Sequence, residues 1–543
     1  MKRQARKKGS KKKVQLKKKR HSANKWLALI VLAIACITLV SILVYGNRRY
    51  YFDMDMEYAI RVARTRREAI TRPDYQKLIP YTQGYEYILD DMIFMIYQFG
   101  GLENFEQFMS EITTTPAEPA YRISSDMAIF DASVLLMMMR LQYSAYIYFG
   151  GDDVFQPLFL QIRDVLASQA YWETSPTGNF MSLIHNTLFP VIADNHFSIG
   201  GLPLGWLVDD VPHRFYSPVS ADFFVSANDF SRSSRGFSCN FTGRYIREVV
   251  GHDVSDIFRL AFNDYAAIVY VAVLYISEGY DAPIKILPII YENGERGLLP
   301  FMRHIPARQR SLEYPTLEWI EGVPVVTITS MAHYPSEDAR LFTNLAYKLR
   351  SEPVVVLDVR SNRGGNNLLP THFFYMLTGE IIPSISRTLH VGSQYGFYRY
   401  WGGATSGFHS PFTGNRLSHP TRPFGSYHFI IDYGPRRIMP NDSLIIVLTD
   451  RYTSSAGERV VDLALSMENA LIIGQNTAGV GRALGTPPFY MPYSGLPFTF
   501  GAGLIFRPPG LFAEGIGIAP DIWSTGCALE AALVFLRGEG LMN

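Results

Sequence analysis

Residues 444–475 read LIIVLTDRYTSSAGERVVDLALSMENALIIGQ, two branched apolar runs with a helical pattern between them. The first run is continuous rather than alternating, as in a strand covered on both faces, and it ends near Thr449. A short loop then carries Thr453-Ser454-Ser455, a helix over Ala456–Met467 starts at once, and Ala470–Ile473 returns as a strand. Ser455 therefore stands beside the unpaired N–H groups and the positive dipole end of a helix, which favour a developing oxyanion. A plainer reading stays open. Ser455 followed three residues later by Glu458 is also a capping box, a common way to start a helix.

The pattern extends outward on the amino-terminal side. Val354–Asn367, VVVLDVRSNRGGNN, is a buried strand running into an Arg, an Asn and a glycine pair, where backbone N–H groups can approach a ligand closely. Pro324–Thr329 and Ser443–Leu448 are further short strands, and Ser336–Leu349 has helical spacing. Strands alternating with helices predict an α/β core with largely parallel strands from 321 to 543.

Upstream, residues 201–320 form an intermediate region. Within it Tyr245–Asp264 predicts a strand, a turn at Gly251 and a helix, open to reading as a degenerate PDZ-like insert or as local packing. Residues 47–200 are mainly helical, with apolar spacings of three and four over Tyr85–Tyr97, Met127–Tyr148 and Val154–Ala170. Met127–Tyr148 is apolar enough to raise a membrane span. Asp131, Arg140 and Gln142 inside it, and the lack of basic flanks, favour a buried helix.

The first 25 residues are a basic tail, and Trp26–Tyr45 is a run of twenty residues without a charge. About twenty apolar residues suffice to cross a bilayer as a helix. Thirteen Lys or Arg precede the run and only Arg48 and Arg49 follow it closely, which predicts a cytoplasmic amino terminus. Val44-Tyr45-Gly46-Asn47 is a poor cleavage site, so residues 26–46 read as a transmembrane signal anchor with the remainder extracytoplasmic, at the cell membrane. After residue 49 the chain holds 36 bases against 49 acids, which argues against nucleic acid as a partner. Cys36 lies in the apolar run, leaving Cys239 and Cys527 as one optional disulfide. The usual motifs for metal or nucleotide chemistry are missing, so no cofactor or metal is expected.

Taken in order, Asp358–Gly365 (DVRSNRGG), Ser455–Glu458 (SAGE) and Glu514–Asp521 (EGIGIAPD), with Asp194–Phe197 (DNHF) upstream, resemble the signature of the tail-specific and tricorn-type serine peptidases. The resemblance covers roughly residues 180–543 and implies an α/β peptidase core of the crotonase and Clp-protease type. It implies hydrolysis of protein or peptide substrates through an acyl-enzyme at Ser455. Tail-specific members use a lysine after the nucleophile. Here Thr477-Ala478-Gly479-Val480-Gly481 has Val480 in that place, and valine cannot accept a proton. Tricorn-type members take a histidine from the upstream motif and a glutamate from the downstream one, which here are His196 and Glu514. The oxyanion donors implied are the N–H of Ala456 and one from Gly364 or Gly365. His333 and His372 remain alternative bases, and Asp521 an alternative to Glu514. An inactive relative that binds peptides or another ligand is the competing function.

Overall fold

The continuous apolar runs become the centre of one large sheet. In this computed structural model, the described residues are 56–71, 75–78, 100, 102–112, 118–168, 175–203, 222–263, 266–276, 283–304, 315–332, 336–392, 427–431, 437–486 and 488–542. The basic tail, the apolar run Trp26–Tyr45, Tyr85–Tyr97 and His333 lie outside them. Among the described residues, no helix is long and apolar enough to cross a membrane.

The sheet strands in chain order are β1 (Asp222–Ser226), β2 (Phe230–Ser233), β3 (Gly236–Cys239), β4 (Tyr245–Val249), β5 (Phe258–Phe262), β6 (Ile268–Ile276) and β7 (Ile284–Tyr291). They continue as β8 (Arg296–His304), β9 (Thr316–Ile320), β10 (Val323–Thr327), β11 (Val354–Asp358), β12 (Leu444–Thr449), β13 (Ala470–Gly474) and β14 (Ile522–Ser524). Their order across the sheet is β9-β10-β11-β12-β13-β14-β5-β6-β1-β8-β7-β4-β3-β2. Pairing is parallel from β10 through to β5 and antiparallel elsewhere.

Every residue of β11, β12 and β13 is buried, as the unbroken apolar runs require. The helices are α1 (Met56–Ala69), α2 (Leu102–Glu111), α3 (Ser125–Gln142), α4 (Gly151–Ser168), α5 (Thr177–Leu188), α6 (Ser336–Lys348), α7 (Leu368–Thr378), α8 (Ala456–Ala464) and α9 (Ala528–Gly538). Phe342 of α6, Phe373 of α7 and Val460 of α8 share one core with Val355, Ile445 and Ile472. The amphipathic α8 is shorter than the spacing predicts, because Ser466 and Met467 close three-residue turns instead of continuing it.

Within 201–320, the described strands from Asp222 to His304 are added to the same sheet and pair with one another antiparallel. The ring β6-β1-β8-β7-β4-β3-β2 returns to β6 through Tyr270↔Phe230. The helix expected after Gly251 is a single turn, Val254–Ile257, capped by Asp253, after which Phe258–Phe262 is strand β5. Leu260 and Ala261 are buried there between β6 and β14, and tertiary pairing overrides the local pattern.

The run Met127–Tyr148 contains most of α3, whose buried Asp131 accepts N–H bonds from Tyr493 (3.0 Å) and Ser494 (2.7 Å). Its apolar residues join Phe197, Phe489, Phe498 and Phe500 in a single cluster, so this helix is packed inside the protein. Cys239 and Cys527 are both free, Cys239 buried and Cys527 exposed, so the optional disulfide is not made.

Asp521 has a structural task. Its carboxylate pairs with Arg66 (3.0 Å) and fully buried Arg67 (2.8 Å) of α1 and accepts the Ile472 N–H (3.0 Å). Arg67 also donates to the Ala470 carbonyl at 2.6 Å, which ties α1 to β13. Removing one partner of a buried pair strands a charge, at a cost of about 3–5 kcal/mol. Asp521→Asn is expected to lower unfolding stability by about that amount in denaturant titration. A loss under about 1 kcal/mol would show that Arg67 finds water or another acceptor.

Candidate active site

Parallel pairing sets β11 and β12 side by side, with Asp358 opposite Leu448, so the loops that follow them meet. Asp450 fastens the two loops. Its buried carboxylate accepts the N–H of Ser361 (2.8 Å) and of Tyr452 (2.9 Å), with the hydroxyls of Thr453 and Ser361 at 3.1 and 3.2 Å. Burial pushes its pKa up, against those hydrogen bonds. The Ser454 N–H donates to the Asn362 carbonyl (2.7 Å), and the Asn362 amide donates to Ile328 O (2.8 Å).

Between these anchors Ser455 is held at φ +53° and ψ −113°, a sparsely populated region for a residue with a Cβ. It occupies the N-cap position of α8 yet makes no side-chain cap bond. Glu458 does not close a capping box either. Its buried carboxylate accepts from Thr477 Oγ1 (2.6 Å) and the Gly479 N–H (2.9 Å). Ser455 Oγ instead lies 3.3 Å from Nε2 of His196.

His196 follows a tight turn around Asp194. Asp194 Oδ1 accepts the His196 N–H at 2.9 Å, and Oδ2 accepts the Tyr143 hydroxyl at 3.0 Å. The next residue, Phe197, is buried against Tyr143 (5.3 Å between centroids) and Phe500 (5.8 Å), so the turn hangs from the helical core. Burial lowers the His196 pKa; the Asp194 charge opposes this and Arg507 adds to it. The ring is therefore neutral at physiological pH, the form that accepts a proton.

Glu514 lies in the same pocket, its side chain 4% exposed. Oε1 accepts the Asn195 N–H (3.0 Å) and Oε2 the Arg482 N–H (3.1 Å). It makes no hydrogen bond to the imidazole. The polar atoms of Asp194, His196 and Glu514 all lie within 4.8 Å of one another. All four carboxylate oxygens accept protein hydrogen bonds.

The turn where the lysine is absent is held by its main chain. The Val480 carbonyl accepts the Ser455 N–H (3.1 Å), and Asn195 Nδ2 donates to Gly479 O (3.2 Å). Gly479, at φ +73°, packs against the 514–518 turn so closely that a Cβ would stand 2.5 Å from the Gly515 nitrogen. Arg507 donates to the Gly481 carbonyl and pairs with Asp462 at 3.3 Å, under the same turn.

Of the expected oxyanion donors, Gly364 does not qualify, because its N–H donates to Asn362 Oδ1 at 2.8 Å. Gly364 still matters for space. It has φ +90°, and a Cβ there would meet the Ser455 Cβ at 2.5 Å. The N–H groups of Gly365 and Ala456 find no acceptor among the described residues. His372 lies on α7, and Asp521 serves the α1 clamp.

Sequence reasoning gave four residues no site role of their own, although Asp194 and Glu458 stood inside quoted motifs. Asp450 and Asp194 each sit two residues before a backbone N–H they accept, the Asx-turn spacing, which was the available signal. Glu458 was visible as a capping partner and as the end of the SAGE motif but was given no further role, and Arg507 carried no local signal.

Residues 322–524 match the model of peptidase family S41. No curated protein matches the chain. Among solved structures, mature CPAF complexed with lactacystin is similar at 14% identity over 77% of this chain and 98% of that chain, with TM-score 0.37. The photosystem II D1 C-terminal processing protease is similar at 13% identity over 74% of this chain and 93% of that one, with TM-score 0.31. The tricorn protease is similar at 15% identity over 76% of this chain and 37% of that one, with TM-score 0.31. Ser455 and Glu514 thus fall within a stretch that matches peptidase family S41, and His196 is contributed from outside it.

Proposed function

We propose that this chain is a membrane-anchored serine endopeptidase acting outside the cytoplasm, with Ser455 as nucleophile and His196 as general base. One observation carries the reading. Ser455 Oγ ignores the helix end it should cap and lies 3.3 Å from His196 Nε2 instead. Ser455 Oγ attacks the scissile carbonyl carbon while Nε2 takes its proton. The tetrahedral oxyanion is met by the N–H groups of Gly365 and Ala456, with the α8 dipole behind them. The imidazolium then protonates the leaving amine, and the acyl-enzyme is cleared by a water that His196 deprotonates in turn. Glu514 closes the pocket beside the ring by fastening the Asn195 and Arg482 main chains. The anchor is the uncharged run Trp26–Tyr45, with the basic tail on the cytoplasmic side.

If the reading is right, Ser455→Ala abolishes labelling by a fluorophosphonate and lowers peptide hydrolysis by ~10⁴-fold or more. Because no cap bond is lost, its unfolding stability should stay within about 0.5 kcal/mol of the parent. Retained labelling, or a cap-sized loss near 1 kcal/mol, would return Ser455 to the role of a helix cap.

The active base is neutral imidazole, and burial holds its pKa below the usual 6.5. Accordingly kcat/KM should rise with pH through a midpoint below that value and be level at neutrality. An acid limb centred at or above about 7 would point to a different base.

Topology is tested separately. Protease added to spheroplasts should digest the region after residue 47 and spare the basic tail, whereas full protection of the catalytic region would reverse the orientation.

A further inference from the structure

The imidazole of His196 has one nitrogen facing Ser455 and the other, Nδ1, buried with no hydrogen-bond partner among the described residues. A base of this kind works through the group behind it, which fixes its tautomer and supports the cation. Two carboxylates share that pocket, and their geometry separates them. Asp194 is fully buried, with Oδ1 3.8 Å from His196 Nδ1. The same Oδ1 accepts the histidine's own N–H, and Tyr143 holds Oδ2, so Asp194 cannot leave the ring. A small ring rotation closes 3.8 Å to a hydrogen bond, and catalytic contacts are often long without substrate. Glu514 has both oxygens committed to the main chain of Asn195 and Arg482.

We propose that Asp194, not Glu514, is the positioning carboxylate of this site: it orients the His196 ring and holds the negative charge opposite Nδ1. The inference rests on the reading of His196 as the base. Two carboxylates in one dry pocket do not both ionise. Glu514 is pushed up to about 8, first by burial and then by the Asp194 charge. The Asn195 hydrogen bond and Arg482 act against that rise, and Glu458 adds to it. Glu514 is therefore the carboxyl that keeps its proton at neutral pH. The charged groups acting on His196 are Asp194, which raises its pKa, and Arg507, which lowers it. Removing the Asp194 charge lowers the histidine further. Removing the Glu514 carboxyl, neutral below about 8, leaves it in place.

The test is a titration of the full chain in detergent with ¹³C-labelled histidine, the His196 signal being assigned with His196→Gln. Asp194→Asn keeps an acceptor for the His196 N–H and should lower the ring's midpoint by about one pH unit or more. Glu514→Gln should move it by less than about a third of that. In peptide hydrolysis, Asp194→Asn should lower kcat by ~100-fold or more at nearly constant KM, with the acid limb following the midpoint. Glu514→Gln should cost about tenfold or less, with the limb unmoved. A midpoint lowered as much by Glu514→Gln as by Asp194→Asn would overturn the proposal. The titration reads the ring whether or not the chain cleaves peptides. A shift confined to Asp194→Asn in a parent without turnover upholds the assignment and sinks only the peptidase reading. Should thermal melts show Asp194→Asn unfolded, Glu514→Gln alone decides: a still midpoint supports Asp194, a lowered one overturns it.

Discussion

The buried carboxylate of Asp450 is what the rest of this site depends on. It stands where β12 ends and reaches across to the loop after β11, accepting Ser361 on one side and Tyr452 and Thr453 on the other. Parallel strands bring their loops out at the same edge, but adjacency alone would leave two independent loops. Asp450 makes them one body. Only then do Gly364 and Ser455 approach so closely that no Cβ fits between them. The same locking sustains φ of +60° at Ser361 and +53° at Ser455, conformations that cost of order 1–3 kcal/mol each and persist only when the surroundings enforce them.

The absence of a lysine at Val480 has a structural counterpart. Glu458 lies beneath that turn, and its Oε2 has no hydrogen-bond partner among the described residues. With no ammonium above it, the carboxylate draws on Thr477 Oγ1 and the Gly479 N–H, and the Arg507 charge opposes the rise in its pKa that burial causes. Gly481 leaves room for both side chains, since a Cβ would stand 2.6 Å from Glu458 Oε2 and 2.7 Å from Arg507 Nη1 and one of those ends would have to shift. The turn keeps its shape without the lysine, and Val480 contributes its carbonyl to the Ser455 N–H rather than a side chain to the chemistry.

How much of this was legible in the sequence follows from how local each cause is. β11, β12 and β13 were plain because strands buried on both faces are unbroken apolar runs, and α8 was plain from its amphipathic spacing. The antiparallel ring of residues 222–304 was not, because the burial of β4, β7 and β8 follows no clean alternation, and β5 follows an Asp253 cap that announces a helix. Ser455 was legible as a residue at a strand–helix junction but ambiguous in role, since a cap and a nucleophile need the same placement. His196 is 259 residues from Ser455 and Arg67 is 454 from Asp521, separations that no periodicity spans. Ordered motifs supplied the first pair and nothing supplied the second.

Charge balance explains why the pocket can hold a neutral base. Four acids, Asp194, Glu458, Asp462 and Glu514, are buried beside the 477–482 turn, with Arg459, Arg482 and Arg507 as the cations that reach them. Asp462 takes Arg507 at 3.3 Å, while Arg482 stands 3.9 Å from Glu514 and is spread over the rings of Tyr148 and Phe149. An excess of carboxyls in a dry pocket is relieved by protonation, because an unpaired buried charge costs more than a bound proton. Glu514 takes that proton, held up by burial and by its anionic neighbour. A charged Glu514 beside the imidazole would draw the ring towards its cation and away from the form that can accept a proton. A carboxyl that stays neutral near His196 is therefore part of what leaves the ring free for the role of base proposed for it.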